Sequence, residues 1–297
     1  MGKSLNVSIV IYNNDFAEIA SLVRNLQSFQ IINHIYLIDN SPRPNGLFKT
    51  LNANYISPGY NLGYGAGHNL AIQRSVDDEV CYHLVLNPDV WIDNEEVLQE
   101  LFAYMEGNPD VGLVMPMIRF PDGQQQYLCK LLASPLDLIG RRFLPIDKLI
   151  RDRNNKYELR FTQYNRIMQV PSLSGCFMFL RTSVLKTIGG FDERFFMYLE
   201  DNDLSRRVGQ VSRTMFYPHV SVIHEYKKGS YKSPKLMIYH ITSAIRYFNK
   251  WGWLFDNEKK KVNHRVLKEL GFYDVHEIKS IKDLLRYPRL NQQETNN

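Results

Sequence analysis

Apolar residues recur along this chain in two alternating rhythms. Residues 5–12 (LNVSIVIY) form a short β-branched run of the kind buried in a parallel sheet, and the run stops at Asn13-Asn14. A helical rhythm follows at once, with Phe16, Ile19, Ala20, Val23 and Leu26 repeating to about Phe29 and Asp15 and Glu18 spaced like a capping box. A second strand is expected over residues 34–38, ending in Asp39-Asn40-Ser41-Pro42. The three elements read as a β-α-β unit with a right-handed crossover. Residues 54–57 suggest a third strand, residues 82–86 a buried fourth, residues 94–107 an amphipathic helix and residues 111–115 a further strand. Later, residues 220–223 look strand-like and residues 234–251 helical, with two short helices expected before the polar tail of residues 291–297. Strands alternating with helices predict an α/β fold.

Ligands of such sheets bind outside the carboxyl ends of the strands, which is where Tyr12, Asn13, Asp39 and Asn40 fall. Pro88 cannot continue a ladder, so Asp89 of Asn87-Pro88-Asp89 is left at the end of the fourth strand beside the same crevice. Gly59, Gly63, Gly65 and Gly67 precede or open a helix whose free N–H groups suit an anion. The loop fits neither a Walker motif nor a dinucleotide fingerprint, so a plain strand-to-helix turn stays equally open. The densest chemistry lies in residues 172–204, where a small-residue turn and an aromatic cluster lead to Glu200, Asp201 and Asp203. Three acids that close repel one another unless they cap a helix, face a cation or share a proton with a substrate.

With 297 residues, 44% of them hydrophobic, the chain can bury a full core. No apolar run approaches the roughly 20 residues of a membrane span, and the first residues lack a secretory signal, so a cytoplasmic location is expected. Cys81, Cys129 and Cys176 are widely spaced and suggest neither disulfides nor a zinc site. A net charge of +5, without a basic-aromatic strand-binding motif, gives no case for nucleic acid and suits an anionic substrate or membrane surface.

Taken in order, Tyr12-Asn13 after a strand, Asp39-Asn40, Asn61-x-Gly63, Leu86-Asn87-Pro88-Asp89, Ser174-Gly175, Gly189-Gly190-Phe191-Asp192 and Phe196-Met197-Tyr198-x-Glu200-Asp201-x-Asp203-Leu204 form a specific series. Over roughly residues 5–226 the chain resembles a family 2 glycosyltransferase, in particular the rhamnosyltransferase-like branch of bacterial surface polysaccharide synthesis. The resemblance implies a GT-A nucleotide-binding (Rossmann-like) α/β domain, a mixed sheet flanked by helices, over residues 1–230, with a C-terminal helical extension over 231–297. It implies inverting transfer of a sugar such as rhamnose from a nucleotide-diphosphate sugar to a glycan or lipid-linked glycan, with Mg2+ or Mn2+. Asp201 would be the general base and Glu200 would orient the acceptor. Asp89 would anchor the metal, with His224 as a further metal or diphosphate contact, and Asp39 would meet the nucleobase or ribose. Tyr12, Asn13, Asn40, Asn61, Gly63, Gly65 and Asn87 would border the donor. Phe196 and Tyr198, with Phe195, would line the acceptor side. Asn87 stands where relatives often carry aspartate, which removes one anionic ligand. The competing readings are a sugar-nucleotide nucleotidyltransferase, whose glycine-rich basic loop after the first strand is absent here, and a non-catalytic carbohydrate-binding protein.

Two regions keep open alternatives. Residues 119–170 hold a turn at Pro121-Asp122-Gly123 and then Arg141, Arg142, Lys148, Arg151, Arg153, Lys156 and Arg160, either a solvated excursion or contacts to an acceptor's phosphates. Trp251, Trp253, Leu254 and Phe255 adjoin Lys259, Lys260 and Lys261, which suits peripheral contact with an anionic membrane on its cytoplasmic face or a helix packed on the catalytic domain.

Overall fold

The computed structural model describes residues 4–140, 147–225 and 233–272. Strand β1 (Leu5–Ile11) lies between β2 (Ile32–Asp39) and β4 (Tyr82–Leu86), parallel to both, and β3 (Asn54–Ile56) adds to the far side of β2. Its Leu5, Val7, Ile9 and Ile11 are fully buried on one face, as expected of a central strand covered by helices. Helix α1 (Phe16–Gln27) makes the first crossover, and Asp15 caps it by accepting from the N–H groups of Ala17 and Glu18. Helix α2 (Tyr64–Asp77) makes the second, between β3 and β4. Beyond the short β5 (Val90–Trp91), α3 (Glu96–Gly107) leads into β6 (Val111–Arg119).

The other half of the sheet is mixed. After β6 the chain forms the short β7 (Cys129–Lys130), β8 (Met168–Gln169) and β9 (Ser172–Leu173), then β10 (Phe177–Arg181) and β11 (Arg213–His224). The nine-stranded sheet runs β3-β2-β1-β4-β10-β6-β11-β5, with β8 on β11, and β7 pairs with β9 separately. Strand β10 is antiparallel to both β4 and β6, while β11 is parallel to β6. Helix α4 (Asp147–Tyr157) lies in the basic excursion, α5 (Thr182–Ile188) and α6 (Glu200–Val211) follow β10, and α7 (Pro234–Trp251) and α8 (Asn257–Glu269) follow β11.

The sequence pattern matched β4 and α7 residue for residue but missed β10 and α5. Phe177 to Leu180 are all buried, so no alternation marks them as a strand. Strand β6 also runs four residues past its expected end. Pro116 sits inside it, beyond Val114 where the β10 ladder stops and beside an irregularity in β11 between Tyr217 and Ser221, so its missing N–H breaks nothing. The expected helix beyond residue 272, the polar tail, and Arg141, Arg142, Lys227, Lys228 and Lys232 lie outside the described residues.

Between β1, β4 and α2 the core is polar. Ser8 Oγ lies 2.7 Å from His68 Nδ1 and 2.8 Å from His83 Nε2, while Ser75 Oγ bonds His83 Nδ1 and accepts from Asn6. Burial pushes both imidazoles down, His83 to about 3, and His83 adds to the depression of His68. They stay neutral while folded, whereas in the unfolded chain they titrate near 6.5. The unfolded state therefore binds more protons as pH falls below about 6.5, and stability drops by up to about 1.4 kcal/mol per pH unit for each histidine until the folded form also protonates. Melting temperatures measured between pH 7 and 4 should decline accordingly, and His83→Gln should flatten the decline; a slope unaltered by that change would remove His83 from the account.

Candidate functional site

The antiparallel pairing of β10 with β4 sets Phe177 opposite Leu86, so the turn before β10 lies beside the turn after β4. Asn87 N donates to Cys176 O at 2.9 Å. Tyr64, at the start of α2, places its hydroxyl 2.6 Å from Gly175 O and 3.0 Å from Asn87 Oδ1. From α6, Asp201 Oδ2 accepts from Gly175 N at 2.9 Å, and Oδ1 accepts from the backbone and side-chain nitrogens of Asn202. A Cβ on Gly175 would stand 3.2 Å from Asp201 Cβ and 3.4 Å from Tyr64 Cε1, so glycine is what lets these segments close on one another.

On the other side β5 pairs with the end of β11, Val90 opposite His224, and Glu225 N donates to Asp89 O. This register brings Asp89 Oδ1 to 3.4 Å from His224 Nε2. The far ring nitrogen, Nδ1, is 2.9 Å from Gln126 Oε1, and Gln126 Nε2 donates to His224 O at 2.7 Å. Gln126 therefore fixes the ring with Nε2 aimed at Asp89. Burial alone would lower the His224 imidazole, but the nearby Asp89 and Cys176 hold it at about 10. Asp89 Oδ1 itself is buried and makes no hydrogen bond within geometric limits.

Glu200 is buried, and desolvation with the neighbouring Asp201 charge raises its carboxyl well above the usual range. Among the described residues its Oε2 has no hydrogen-bond partner. Burial also pushes the Tyr64 hydroxyl up, reinforced by the charges of Glu200, Cys176, Asp201 and Asp89, so it acts only as a neutral group. A desolvated carboxyl thus lies beside Asp201, with an Asp–His pair within electrostatic reach of the same tyrosine.

No protein-family model matches the chain. Curated relatives do. N-acetylglucosaminyl-diphospho-decaprenol L-rhamnosyltransferase of Mycobacterium tuberculosis is 29% identical over 206 residues, covering 62% of this chain and 62% of the relative. The chain thus spans about three fifths of that protein's length. Rhamnosyltransferase WbbL of Escherichia coli is 26% identical over 256 residues, 81% of this chain and 92% of the relative. Among solved structures, GalNAc-T7 with UDP, GalNAc and Mn2+ superposes with a TM-score of 0.55 at 14% identity, over 75% of this chain and 44% of that one. The mannosyltransferase PcManGT of Pyrobaculum calidifontis, in complex with GDP-Man and Mn2+, gives 0.52 at 12% identity, over 99% of this chain and 82% of that one. The chain is a homologue of rhamnosyltransferases with the GT-A glycosyltransferase fold.

Within that GT-A fold the expected donor residues divide. Tyr12 is exposed after β1, and Asn13 takes a left-handed backbone (φ 54°) with its N–H on Ser41 Oγ. Asp39, by contrast, is fully buried with Oδ1 accepting from Ser41 N and Oδ2 from the Tyr55 hydroxyl, so it ties the β2 turn to β3 and offers no free edge. Asn40 is buried too, its Nδ2 on Gly63 O, and Asn61 accepts from Gly63 N. The glycine loop is used for packing: a Cβ on Gly63 would collide with the Phe196 carbonyl, and one on Gly65 would press on Phe191. Tyr64 N already donates to Phe196 O, so one of the helix N–H groups expected to meet an anion is taken.

Two expectations for residues 195–203 need correction. Glu200 is buried and so does not face an acceptor. Phe195 is buried in a separate cluster with Leu199, Ala244, Tyr247 and Phe248, because α7 covers it. Of the two roles open to Asp203, cap of its helix or partner of Arg206 or Arg207, it takes the second: Leu199 occupies the cap position of α6, and the fully buried Asp203 pairs with Arg207 (2.7 Å) and Lys250 (2.6 Å) and accepts from Trp251 Nε1 (2.8 Å). Asp203→Asn should leave Arg207 without its carboxylate and Lys250 with Asp192 alone, and lower unfolding free energy by about 3 kcal/mol, read by denaturant titration. A stability loss under about 0.5 kcal/mol would show the cluster to be incidental.

Helix α7 has a second role. Phe196 and Tyr198 remain partly accessible, and their rings meet Tyr239 (centroids 4.7 Å apart) and His240 (5.4 Å) on that helix. Tyr198 and Leu199 both have left-handed backbones (φ 71° and 66°), a conformation costing on the order of 1 kcal/mol or more for each non-glycine residue. Ser243 Oγ holds this turn by donating to Met197 O at 2.8 Å. The turn delivers Asp201, and α7 supports it. Tyr64, Gln126 and Ser243 were not singled out in the sequence; only Tyr64, an aromatic set between two loop glycines, carries a local signal.

Proposed function

We propose that the protein is a metal-dependent, inverting glycosyltransferase that moves a sugar, rhamnose being the favoured class, from a nucleotide-diphosphate sugar to a glycan or lipid-linked glycan acceptor. The observation that carries this reading is the convergence of Asp201 with the Asp89–His224 pair around Tyr64 and Gly175, at the carboxyl ends of the parallel strands. The names of the relatives supply the sugar and acceptor class, and the Mn2+ in both solved neighbours supports the metal.

The residues present fit a divalent cation. Asp89 Oδ1, buried and without a hydrogen bond, faces an imidazole whose other nitrogen is already held. Among the described residues no three of His, Cys, Asp and Glu form a closed cage, so Asp89 and His224 would share the ion with diphosphate oxygens and water. When bound, such a cation neutralises the charge that develops on the departing diphosphate. Asp89 and His224 would hold it, and the imidazole proton facing Asp89 would have to leave on binding. Asn87, its Oδ1 held by Tyr64, is left to orient the ribose or a water. Asp201 Oδ1 already accepts twice from Asn202, whereas Oδ2 accepts once from Gly175 N and keeps a further lone pair, which accepts the proton of the acceptor hydroxyl as the hydroxyl oxygen bonds to C1. The C1–O bond to the diphosphate breaks on the opposite face, its electron pair leaving with the phosphate. A panel of nucleoside-diphosphate sugars with and without Mn2+ tests the reading by thermal shift: one nucleotide sugar should stabilise the fold only with metal, and no response to any of them would overturn it.

A peripheral membrane location is supported by the outer face of α7. Among the described residues no helix is long and apolar enough to cross a bilayer. Yet Ile238, Ile241 and Ile245 are exposed along one stripe, and Leu254 and Phe255 are 76% and 86% exposed beside Lys260 and Lys261. Protein should sediment with anionic liposomes at low salt and release at high salt. Failure to sediment at low salt would contradict this.

A further inference from the structure

Helices α4 and α8, far apart in sequence, close around a cavity of about 570 Å3 that shares no residue with the donor site. Its floor is apolar, made by Leu131, Tyr157 and Leu267. Among the described residues its lining carries Arg153, Lys156, Lys259, Lys260 and Lys268 and one carboxylate, Asp137. That carboxylate is already engaged, accepting from Arg153 Nε at 2.7 Å and from Ser134. Lys156 lies over the Phe272 ring. Among the described residues no carboxylate pairs with Lys259, Lys260 or Lys268. The arrangement is held from below: Asn263 exchanges hydrogen bonds with the backbone N–H and C=O of Leu132 at 2.9 Å each, and Val266 enters the main core.

Like charges gathered in a concave site repel, and their mutual field is relieved by an anion. Solvated surface lysines spread apart; here cations from two helices face one hollow that α8 is anchored to form. We propose that this cavity is an anion-binding site for a phosphate- or diphosphate-bearing ligand, separate from the donor site and independent of the transferase reading. Several ammonium donors around one hollow match the many acceptor oxygens of a diphosphate better than one carboxylate, and the apolar floor accommodates the carbon portion of the ligand. The phosphate can belong to a soluble compound or to a lipid headgroup, and the chemistry recognised is the same.

The test uses the full chain carrying Asp89→Ala, in EDTA, so that donor-site binding is removed. Inorganic pyrophosphate should bind by calorimetry, more weakly as salt rises, and Lys156→Ala/Lys260→Ala/Lys268→Ala should weaken it at least tenfold. Lys260→Ala/Lys268→Ala, which leaves the Lys156–Phe272 contact intact, should give an intermediate loss with an unchanged melting temperature. In a second arm, vesicles of phosphatidylglycerol are sedimented with each variant. Weaker sedimentation of the triple variant, with release of the parent chain by pyrophosphate, assigns the site to a headgroup; unchanged sedimentation assigns it to a soluble phosphate. No pyrophosphate binding by the parent chain, or equal binding by the triple variant, overturns the proposal.

Discussion

Asp201→Asn is expected to lower turnover by at least about 100-fold while leaving nucleotide-sugar affinity nearly unchanged. The substitution keeps the size of the side chain and the oxygen that accepts from Gly175 N, so the closure of α6 on the β10 turn survives. What it removes is the carboxylate basicity on which the proposed proton transfer from the acceptor depends. Glu200 is a poor stand-in, because it is buried and desolvation with the Asp201 charge raises its carboxyl well above the usual range, and Asp203 is committed to Arg207, Lys250 and Trp251. Steady-state kinetics with calorimetric donor affinity separate the outcomes. If affinity collapsed with turnover, Asp201 would belong to the metal or nucleotide site. If Glu200→Gln alone abolished turnover without unfolding, the base would have to be reassigned.

Asp89→Ala should have the larger effect on binding. It deletes the one carboxylate beside His224, and Asn87 supplies no second charge. Transfer should be abolished, and the metal-dependent part of donor affinity lost, with the fold intact because only Asp89 O, a backbone atom, joins the β5–β11 pairing through Glu225. His224→Ala should act less severely, and Gln126→Leu should weaken manganese binding less again, since it frees the ring to turn without removing a ligand. Undiminished turnover of Asp89→Ala at saturating donor, with EDTA controls, would remove the metal assignment.

The sheet was legible in the sequence where the chain follows local rules. The β-branched run of β1, the Asp15 cap and the strand-ending Pro88 each reflect physics contained in a few residues. The positions of Asp89 and Asp201, at a strand end and a helix start, were legible for the same reason. What the sequence hid depends on long-range register. Gln126 matters only because it packs against a strand end 98 positions away, and α7 matters because it covers Phe195 and props a left-handed turn. The loop glycines were misleading in the opposite sense. Gly63 and Gly65 suggested close approach by a ligand, whereas their missing side chains make room for Phe196 and Phe191. Asp39 illustrates a related limit, because a residue at the predicted crevice can still have both oxygens consumed by its own turn and by the next strand.

The most direct measurement of the central claim is release of free nucleoside diphosphate from the stabilising nucleotide sugar, with acceptor present, compared across the wild type, Asp201→Asn and Asp89→Ala in Mn2+ and in EDTA. The account predicts release by the wild type in Mn2+ alone, about 1% or less of that rate in either variant, and retained donor binding only in Asp201→Asn. Release that persists in EDTA, or that proceeds at the wild-type rate in both variants, would contradict it.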